Sequence, residues 1–415
     1  MKSLLSAFVL IVLLTAAEAR AQAEFPLAGT EVPAMKGIEE QLLAFMKKWN
    51  VPGGQLAVAK DGKLAYSRAF GYGDRDNRIP ALPSNMFRIA SVSKSITAVA
   101  VMKLIQDGKI KLDDKALAIL NDFAPPGGQV KDSRWNDITV EMLLEHLGGF
   151  SLENGDRQVT YLRKAADAFA APRPATARQI VEYGMGEMLD FTPGTRYVYS
   201  NFGYNILGRI IEKVSGKTYE KYLQEDILSP MGITDMQIAK TRRKDKLPNE
   251  AVYYGDQQYE PMWSVLDDAV DQVNFPYGGD YFIEVMDAHG GWLSNALDLV
   301  KFVTATDPTT GRPHPLTPKT VENMLARPLF MADPGARHWY GKGWNYDATS
   351  DEWNHAGALW GVSSVIVRYG NGVTVAIVFN YIPIMQLDDF FSELKANLLA
   401  PLGKMKGSLP EGREF

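Results

Sequence analysis

A nearly uninterrupted apolar stretch at residues 93–106 constrains the fold most strongly, because it has the length of a helix and few polar positions. Gly108 follows it and supplies a helix stop. A helix that is apolar on almost every side must be buried. The sequence therefore predicts a central helix with a sizeable core around it.

Ser91 and Lys94 lie where a loop enters the first turn of this helix. A spacing of three places both side chains on one helical face, so Lys94 Nζ can reach Ser91 Oγ. The backbone N–H groups of a helix start also favour the negative charge of an acyl-transfer intermediate. The same spacing recurs at Ser392 and Lys395 in a helix predicted to be solvated, so only the buried context makes Ser91 a candidate nucleophile.

Composition excludes several classes of protein. The 415 residues are 46% hydrophobic and 22% charged, which suits a globular protein with a large core. The net charge of −5 gives no indication of a nucleic-acid or anionic-membrane partner. The chain has no cysteine, which excludes a thiol nucleophile, disulfides and thiolate metal sites. Its five histidines lack the spacing of a metal site, and no metal is predicted.

The N-terminus has the pattern of a secretory signal. Lys2 is followed by an apolar stretch at 4–17 and by a small-x-small cleavage pattern at 21–23. Residues 1–23 are therefore predicted to be a signal peptide that directs the protein to the periplasm or outside the cell, with no stable membrane span after cleavage. An uncleaved membrane anchor is the alternative, although the apolar stretch is short for a bilayer.

Both ends of the chain are predicted to build one sheet. Asp61-Gly62 is a strong hairpin signal between two apolar strands, and an amphipathic helix precedes them. The fold class is α/β, an antiparallel sheet flanked by N- and C-terminal helices with a mainly helical inserted domain. The predicted divisions are a discontinuous sheet domain (35–110 and 280–400), a helical insertion (111–279) with few strands, and a C-terminal tail (401–415). Within them, helices are predicted at 140–146 and 388–400, and strands at 340–346, 353–358, 361–368 and 373–381.

Two further motifs carry candidate chemistry. Tyr199 and Asn201 lie on a polar loop just before a helix, and a lysine ammonium nearby would favour a tyrosine phenolate. A purely structural hydroxyl at Tyr199 is the alternative. His355 and Gly357 lie on a late strand, where the glycine permits close approach of a substrate. His289 could line a cleft, but its glycine-rich loop explains it equally well.

The order of these motifs along the chain resembles that of the penicillin-recognising serine hydrolases. The branch concerned contains class C β-lactamases, D-alanyl-D-alanine carboxypeptidases and family VIII carboxylesterases, and the resemblance covers about residues 35–400. It is carried by the segments 87–94, 193–204, 290–294 and 340–344 together with 355–358.

This resemblance implies the roles of the site residues. Ser91 would be the acylated nucleophile, and Lys94 and Tyr199 would share the proton transfers. The backbone N–H groups of Ser91 and Ala358 would form the oxyanion hole. Substrate would be bound by three further residues, Asn201, His355 and Gly357, with Asn201 able to bond Lys94 instead. The family uses neither a metal nor an organic cofactor.

Two departures from the family pattern bear on the substrate. The family commonly has Lys-Thr-Gly where this chain has His355-Ala356-Gly357, and a histidine is mostly neutral at pH 7, so recognition of a carboxylate should be weaker. Segment 143–150 also lacks the Thr-Ser pair that many relatives have after the histidine matched by His146.

Three functions are therefore in competition. An exported carboxylesterase-like serine hydrolase is favoured, and a β-lactamase or D-alanyl-D-alanine carboxypeptidase or D-amino-acid peptidase is the alternative. A catalytically idle binding protein is the third. The partner is expected to be a small-molecule ester, lactam or D-peptide; no oligomeric state is predicted. Aromatic residues could line an apolar acyl pocket or simply pack: Tyr253, Tyr254, Tyr259, Trp263, Phe275 and Tyr277.

Overall fold

A computed structural model describes residues 25–153, 155–255, 262–266, 272–279, 281–328, 330–331, 333 and 335–415. The predicted signal peptide at 1–23 lies outside the described residues. Within these ranges, no helix is both long and apolar enough to cross a membrane.

Strands from both ends of the chain form one antiparallel sheet, as the sequence predicts. Its strands are β1 Leu27–Gly29, β2 Gly53–Lys60, β3 Lys63–Asp74, β4 Ile79–Pro80, β10 His338–Tyr340, β11 Asn345–Asp347, β12 Glu352–Leu359, β13 Val362–Arg368 and β14 Val373–Phe379. In the described part of the chain these nine strands have the order β1-β3-β2-β14-β13-β12-β11-β10, with β4 paired to β3. The described residues outside this sheet form five further short strands, β5 Phe87–Arg88, β6 Gln237–Ile238, β7 Met262–Trp263, β8 Gln272–Val273 and β9 Trp292–Ser294.

Helices cover both faces of this sheet, and the remaining helices build the middle of the chain. They are α1 Lys36–Lys48, α2 Ser93–Gln106, α3 Ala116–Ile119, α4 Val140–Leu144, α5 Arg157–Ala168, α6 Ala177–Met185, α7 Asn201–Ser215, α8 Tyr219–Tyr222, α9 Ala296–Thr306, α10 Pro318–Leu325, α11 Leu387–Leu394 and α12 Ala400–Gly403.

The two faces of the sheet belong to separate apolar cores. On one face α1 and α11 meet, and the Phe45 ring lies 5.0 Å from that of Phe390 and 6.0 Å from that of Phe379. On the other face, α2 and α9 pack against the sheet together with the middle helices. Because strands β2 and β14 are covered on both sides, their residues are almost continuously apolar instead of alternating.

The predicted central helix is α2, and its burial is nearly complete. The chain leaves it through Gly108 at φ +70°, a left-handed conformation that favours glycine. Inside the helix, Thr97 Oγ1 donates to the carbonyl of Ala288 at 2.6 Å, which satisfies a polar group that burial would otherwise penalise. The helix is therefore fixed between the sheet and the middle of the chain.

Two predictions of local structure are wrong. The helix expected at 140–146 ends at Leu144, because His146 adopts a left-handed φ of +60°. The strand expected at 340–346 is two strands, β10 and β11, separated by Gly343 at φ +85°. The described part of the middle region is mainly helical, as expected, and also holds the two-residue strands β6, β7 and β8. The domain boundaries drawn from the sequence stay a prediction.

Candidate active site

The strand β12 holds the turn that carries Ser91. A Cβ on Gly357 would lie 2.3 Å from the carbonyl oxygen of Ile89 and 3.1 Å from the backbone nitrogen of Ser91, so only glycine allows this approach. The neighbouring strand adds a hydrogen bond from Ser364 Oγ to Ile89 O at 2.7 Å. Ala90 is held at φ +45°, an uncommon conformation for a residue with a side chain. The turn at 90–92 is thus strained and fixed from the strand side.

The side chain of Lys94 is fully buried and makes three hydrogen bonds. Its Nζ donates to Ser91 Oγ at 3.2 Å, to Asn201 Oδ1 at 2.6 Å and to the backbone carbonyl of His289 at 2.9 Å. The first distance agrees with the spacing argument from the sequence. Burial lowers the pKa of the Lys94 ammonium to about 7, against the opposing effect of the Asp156 carboxylate. Near neutral pH a large share of Lys94 is therefore an uncharged amine beside a serine hydroxyl.

Asn201 is oriented by a carboxylate that sequence reasoning missed. Ser200 caps helix α7 and accepts from Gly203 N, which leaves Asn201 at the helix start facing Lys94. Its Nδ2 donates to the carboxylate of Asp156, so its Oδ1 is directed to the lysine. Asp156 itself begins helix α5 as the N-cap residue. It lies in a polar loop with no motif around it, so no sequence pattern pointed to its role.

Tyr199 lies beside both Ser91 and Lys94, but its charge state differs from the expectation. The tyrosine side chain is hydrogen-bonded to that of Ser91, and its ring centroid lies 4.7 Å from Lys94 Nζ. Burial raises the pKa of the Tyr199 phenol well above its usual range, which overturns the expected phenolate. Tyr199 is a neutral phenol that can donate a proton or a hydrogen bond to an oxygen at Ser91.

His146 supports Tyr199 from behind. The centroid of its ring lies 4.4 Å from that of Tyr199 and 4.6 Å from that of Tyr340. Its Nδ1 accepts a hydrogen bond from the backbone N–H of Ser200 at 3.0 Å, so that nitrogen carries no proton. Burial and then the charge of Lys94 hold the pKa of His146 well below its usual range. The ring is a neutral, packed support for the 199–201 segment.

His355 also remains neutral. Its Nδ1 lies 2.7 Å from the carbonyl of Ala356, which can only accept, so Nδ1 carries the proton. Its Nε2 then accepts from the hydroxyl of Tyr340 at 3.2 Å. Burial and the nearby Lys94 charge lower the pKa of His355 to about 3. At this position the site therefore offers a neutral ring instead of a cation.

Lys342 is the lysine nearest to His355 in sequence, and its charge is neutralised by two glutamates. Its buried Nζ lies 2.7 Å from Glu145 Oε1 and 3.0 Å from Glu141 Oε1. An ammonium held this way is not available to a substrate carboxylate. Across the described ranges, no group of three or more His, Asp or Glu side chains is arranged to hold a metal ion.

Two of these aromatic residues, Tyr253 and Tyr277, pack around a buried arginine. The Arg88 guanidinium lies 4.4 Å from the ring centroid of Tyr253 and 5.6 Å from that of Tyr277. The Tyr253 hydroxyl donates to Glu250 Oε1 at 2.8 Å. These contacts favour the packing interpretation over an acyl pocket. Tyr259 and the side chain of Trp263 lie outside the described residues.

The site thus joins residues from distant parts of the chain. Ser91, Lys94, Tyr199 and Asn201 meet as the sequence suggested, and Gly357 lies against the Ser91 turn. Ala358 is the next residue of β12. Sequence reasoning missed three other contributions, namely the Asp156 carboxylate, the His289 carbonyl and the hydroxyl of Tyr340. Of these residues, Tyr340 lies in a segment that carries the family resemblance, and His289 is the residue that the sequence named as a possible part of a cleft.

The fold is that of the β-lactamase and transpeptidase-like proteins, as the resemblance implied. The chain belongs to the Beta-lactamase family, whose profile matches residues 38–388. Among curated proteins it is similar to Protein flp of Staphylococcus aureus strain N315, with 28% identity over 221 residues. That match covers 53% of this chain and 41% of flp, so the chain spans about two fifths of the length of such relatives.

Solved structures show the same fold over most of the chain. The octameric penicillin-binding protein homologue from Pyrococcus abyssi aligns with a TM-score of 0.65 and 26% identity, covering 91% of this chain and 79% of that one. A D-amino acid amidase from Ochrobactrum anthropi, in complex with L-phenylalanine amide, aligns with a TM-score of 0.66 and 23% identity. The latter match covers 89% of this chain and 99% of the amidase.

Proposed function

We propose that this protein is an exported serine hydrolase that cleaves uncharged carboxylic esters through an acyl-enzyme on Ser91. The observation that carries the proposal is the buried Lys94 amine, whose pKa is lowered to about 7 and whose Nζ lies 3.2 Å from Ser91 Oγ. A base with a pKa near the working pH is best suited to remove a proton from a nucleophile. Export follows from the predicted signal peptide at 1–23.

In the acylation step, neutral Lys94 accepts the hydroxyl proton of Ser91 while Oγ bonds to the ester carbonyl carbon. The backbone N–H groups of Ser91 and Ala358 stabilise the oxyanion. The tetrahedral intermediate collapses with cleavage of the bond to the alcohol oxygen, and that oxygen receives a proton through the Tyr199 phenol, which Lys94 can resupply. Water then attacks the acyl carbonyl carbon while Lys94 accepts one of its protons. The second tetrahedral intermediate collapses with cleavage of the bond to Ser91 Oγ, which takes the proton back from Lys94, and the carboxylic acid is released.

The charge states of His355 and of the nearby Lys342 support an uncharged substrate. His355 is neutral, because burial lowers its pKa to about 3, and Lys342 is paired with Glu145 and Glu141. A substrate carboxylate placed beside His355 would lose solvation without gaining a partner. Simple esters carry no such charge.

Hydrolysis of amides, lactams or D-peptides is the second candidate. It is favoured by the structural likeness to a D-amino acid amidase, although that likeness at 23% identity concerns the fold. The third, a catalytically idle binding protein, is disfavoured by the intact contact between Lys94 and Ser91.

The decisive experiment compares substrates on the purified chain without residues 1–23. We expect kcat/KM for p-nitrophenyl acetate to exceed the values for nitrocefin and for D-alanyl-D-alanine release. Ser91→Ala should lower ester hydrolysis at least about a thousandfold, whereas Ser392→Ala, in the second Ser-x-x-Lys, should leave it unchanged. Full activity of Ser91→Ala would refute the mechanism. Failure of a fluorophosphonate to label Ser91 would favour the idle protein.

A further inference from the structure

A cavity of about 340 Å³ lies on the face of the sheet that is turned away from Ser91. Asn354 and Ala356 of β12 line this cavity. Neighbouring residues of a strand point to opposite faces, so Gly357, which lies against the Ser91 turn, belongs to the other face together with His355. The cavity is therefore separate from the candidate active site.

The cavity lies at the border of the apolar core that α11 covers. Val365 of β13 pairs directly with Ala356, and Val367 pairs with Asn354, so these side chains share one face of the sheet. Both valines are buried in that core, whereas Ala356 on the next strand is exposed. An open space therefore remains between β12 and the helix side.

The walls of the cavity are mainly apolar. Phe391 and Leu399 line it from the helix side, opposite Val365 and Val367. Tyr369 contributes its ring, because its hydroxyl donates to the Leu399 carbonyl at 2.6 Å. A space of this volume suits a small organic molecule, and an alkyl chain would gain free energy from burial there.

Two lysines give the lining a net positive charge. Lys395 and Lys404 line the cavity, and both residues are exposed. Within the described part of the chain, neither ammonium has a carboxylate at ion-pair distance. Among the described lining residues the one carboxylate is that of Glu352, whose Oε1 accepts from Asn354 Nδ2 at 3.1 Å. Two positive charges against one negative charge favour an anion.

We propose that this cavity is a second binding site, which takes a small amphipathic carboxylate. The alkyl chain lies against Val365, Val367 and the exposed Ala356, and the carboxylate lies near Lys395 and Lys404. An inorganic anion would leave the apolar walls without a partner. The inference is independent of the reaction at Ser91, because the site lies on the opposite face of the sheet.

Calorimetric titration with octanoate tests this site on the chain without residues 1–23. Octanoate should bind at millimolar concentrations or below. Hexanoate has two methylenes fewer and should bind at least about tenfold more weakly, because each buried methylene contributes about 0.8 kcal/mol, or about fourfold in affinity. Absence of octanoate binding, or equal binding of the two acids, would overturn the proposal.

A larger side chain on the floor of the cavity locates the ligand. Ala356→Phe fills the space, and a phenylalanine is well tolerated on a strand. We expect octanoate binding to weaken at least about tenfold, since the chain loses its apolar surroundings. Ala28→Phe, on strand β1 at the opposite edge of the sheet, is the matched control and should bind octanoate like the wild type. Thermal melting verifies that both variants fold. An equal response of the two variants would place the ligand elsewhere.

Three charge variants test the head group. Lys395→Met/Lys404→Met should weaken octanoate binding about fivefold, and Glu352→Gln should strengthen it. Lys109→Met, which removes an exposed lysine outside the lining, should leave binding unchanged. If the double variant bound octanoate like the wild type, the carboxylate would not lie near these lysines.

Steady-state kinetics separate this site from Ser91. Octanoate should leave KM for p-nitrophenyl acetate unchanged, and a KM that rose in proportion to octanoate would place the acid at Ser91 and overturn the second site. If the chain hydrolysed no ester, the proposed function would fail, whereas the response of octanoate binding to Ala356→Phe would still decide for or against the cavity.

Discussion

At the scale of single residues, the protonation state of Lys94 should control the pH dependence of the reaction. The proposed base is the neutral amine of Lys94, and burial lowers its pKa to about 7, so kcat/KM should fall about tenfold per pH unit below 7 and level off above it. Asp156→Asn removes the carboxylate that raises this pKa, so the midpoint should move to lower pH. The measurement is a pH–rate profile with an uncharged ester.

Asp389→Asn is the control for this shift, because it removes the same charge from an exposed position on α11. Its midpoint should coincide with that of the wild type. A midpoint that stays fixed or rises in Asp156→Asn would contradict the assignment of Lys94 as the base.

The same buried amine should make stability depend on pH. Between pH 7 and about 10.5 the unfolded chain keeps the Lys94 proton that the folded chain has released, so the free energy of unfolding rises with pH. From pH 7 to pH 9 the unfolding free energy of the wild type should therefore rise by about 2 kcal/mol relative to that of Lys94→Met, which has no amine to titrate. Urea denaturation at both pH values measures it; a constant difference would show that Lys94 titrates normally.

The sequence could predict the contact of Ser91 with Lys94, because a spacing of three on a helix is a local property. It could not predict the contacts of Asp156 or of the His289 carbonyl, because tertiary packing brings those groups to Lys94 from distant parts of the chain. The expected Tyr199 phenolate was wrong for the same reason. Burial raises the pKa of the phenol, and that burial depends on neighbours such as His146.

At the scale of elements, the closeness of β12 to the Ser91 turn should make Gly357 irreplaceable. Gly357→Ala places a Cβ against Ile89 O and Ser91 N, so the strand or the turn must shift. We expect a loss of about 1–3 kcal/mol in unfolding free energy, as for overpacked sites, and at least about a hundredfold loss in kcat/KM. Denaturation and ester kinetics measure the two effects.

Gly37→Ala provides the comparison, since a Cβ at that position of α1 meets nothing within 4 Å. Alanine favours a helix over glycine, so this variant should be as stable as the wild type or more so, with unchanged kinetics. Equal behaviour of the two alanine variants would argue against a tight contact between strand and turn.

The long elements were predictable and the short ones were not. Helix α2 follows from its apolar run, and the β2–β3 hairpin follows from Asp61-Gly62. The break between β10 and β11 arises at Gly343, where a Cβ would lie 2.3 Å from that of Ala98 in helix α2. This requirement comes from a distant helix. Two-residue strands such as β6 likewise exist through their partners in space and leave no periodicity in the sequence.

At the scale of the whole molecule, the sheet formed by both chain ends was predictable, but the contacts that join it to the middle helices were not. Lys342 lies just before β11, and Glu141 and Glu145 belong to the segment of α4, about 200 residues earlier. Opposite charges so far apart in sequence carry no local signal of pairing. Their pairing fixes the sheet to the segment that holds His146.

Breaking this buried pair should therefore destabilise the whole fold. Lys342→Met leaves the Glu145 carboxylate buried without its partner, and we expect a loss of about 3–5 kcal/mol in unfolding free energy at pH 7.5. Glu145→Gln/Lys342→Met removes both charges and should recover most of it. Lys48→Met, which breaks an exposed pair with Glu393, should cost less than about 1 kcal/mol. Urea denaturation measures these unfolding free energies. If Lys342→Met lost no more unfolding free energy than Lys48→Met, the buried pair would not be what joins the two parts of the molecule.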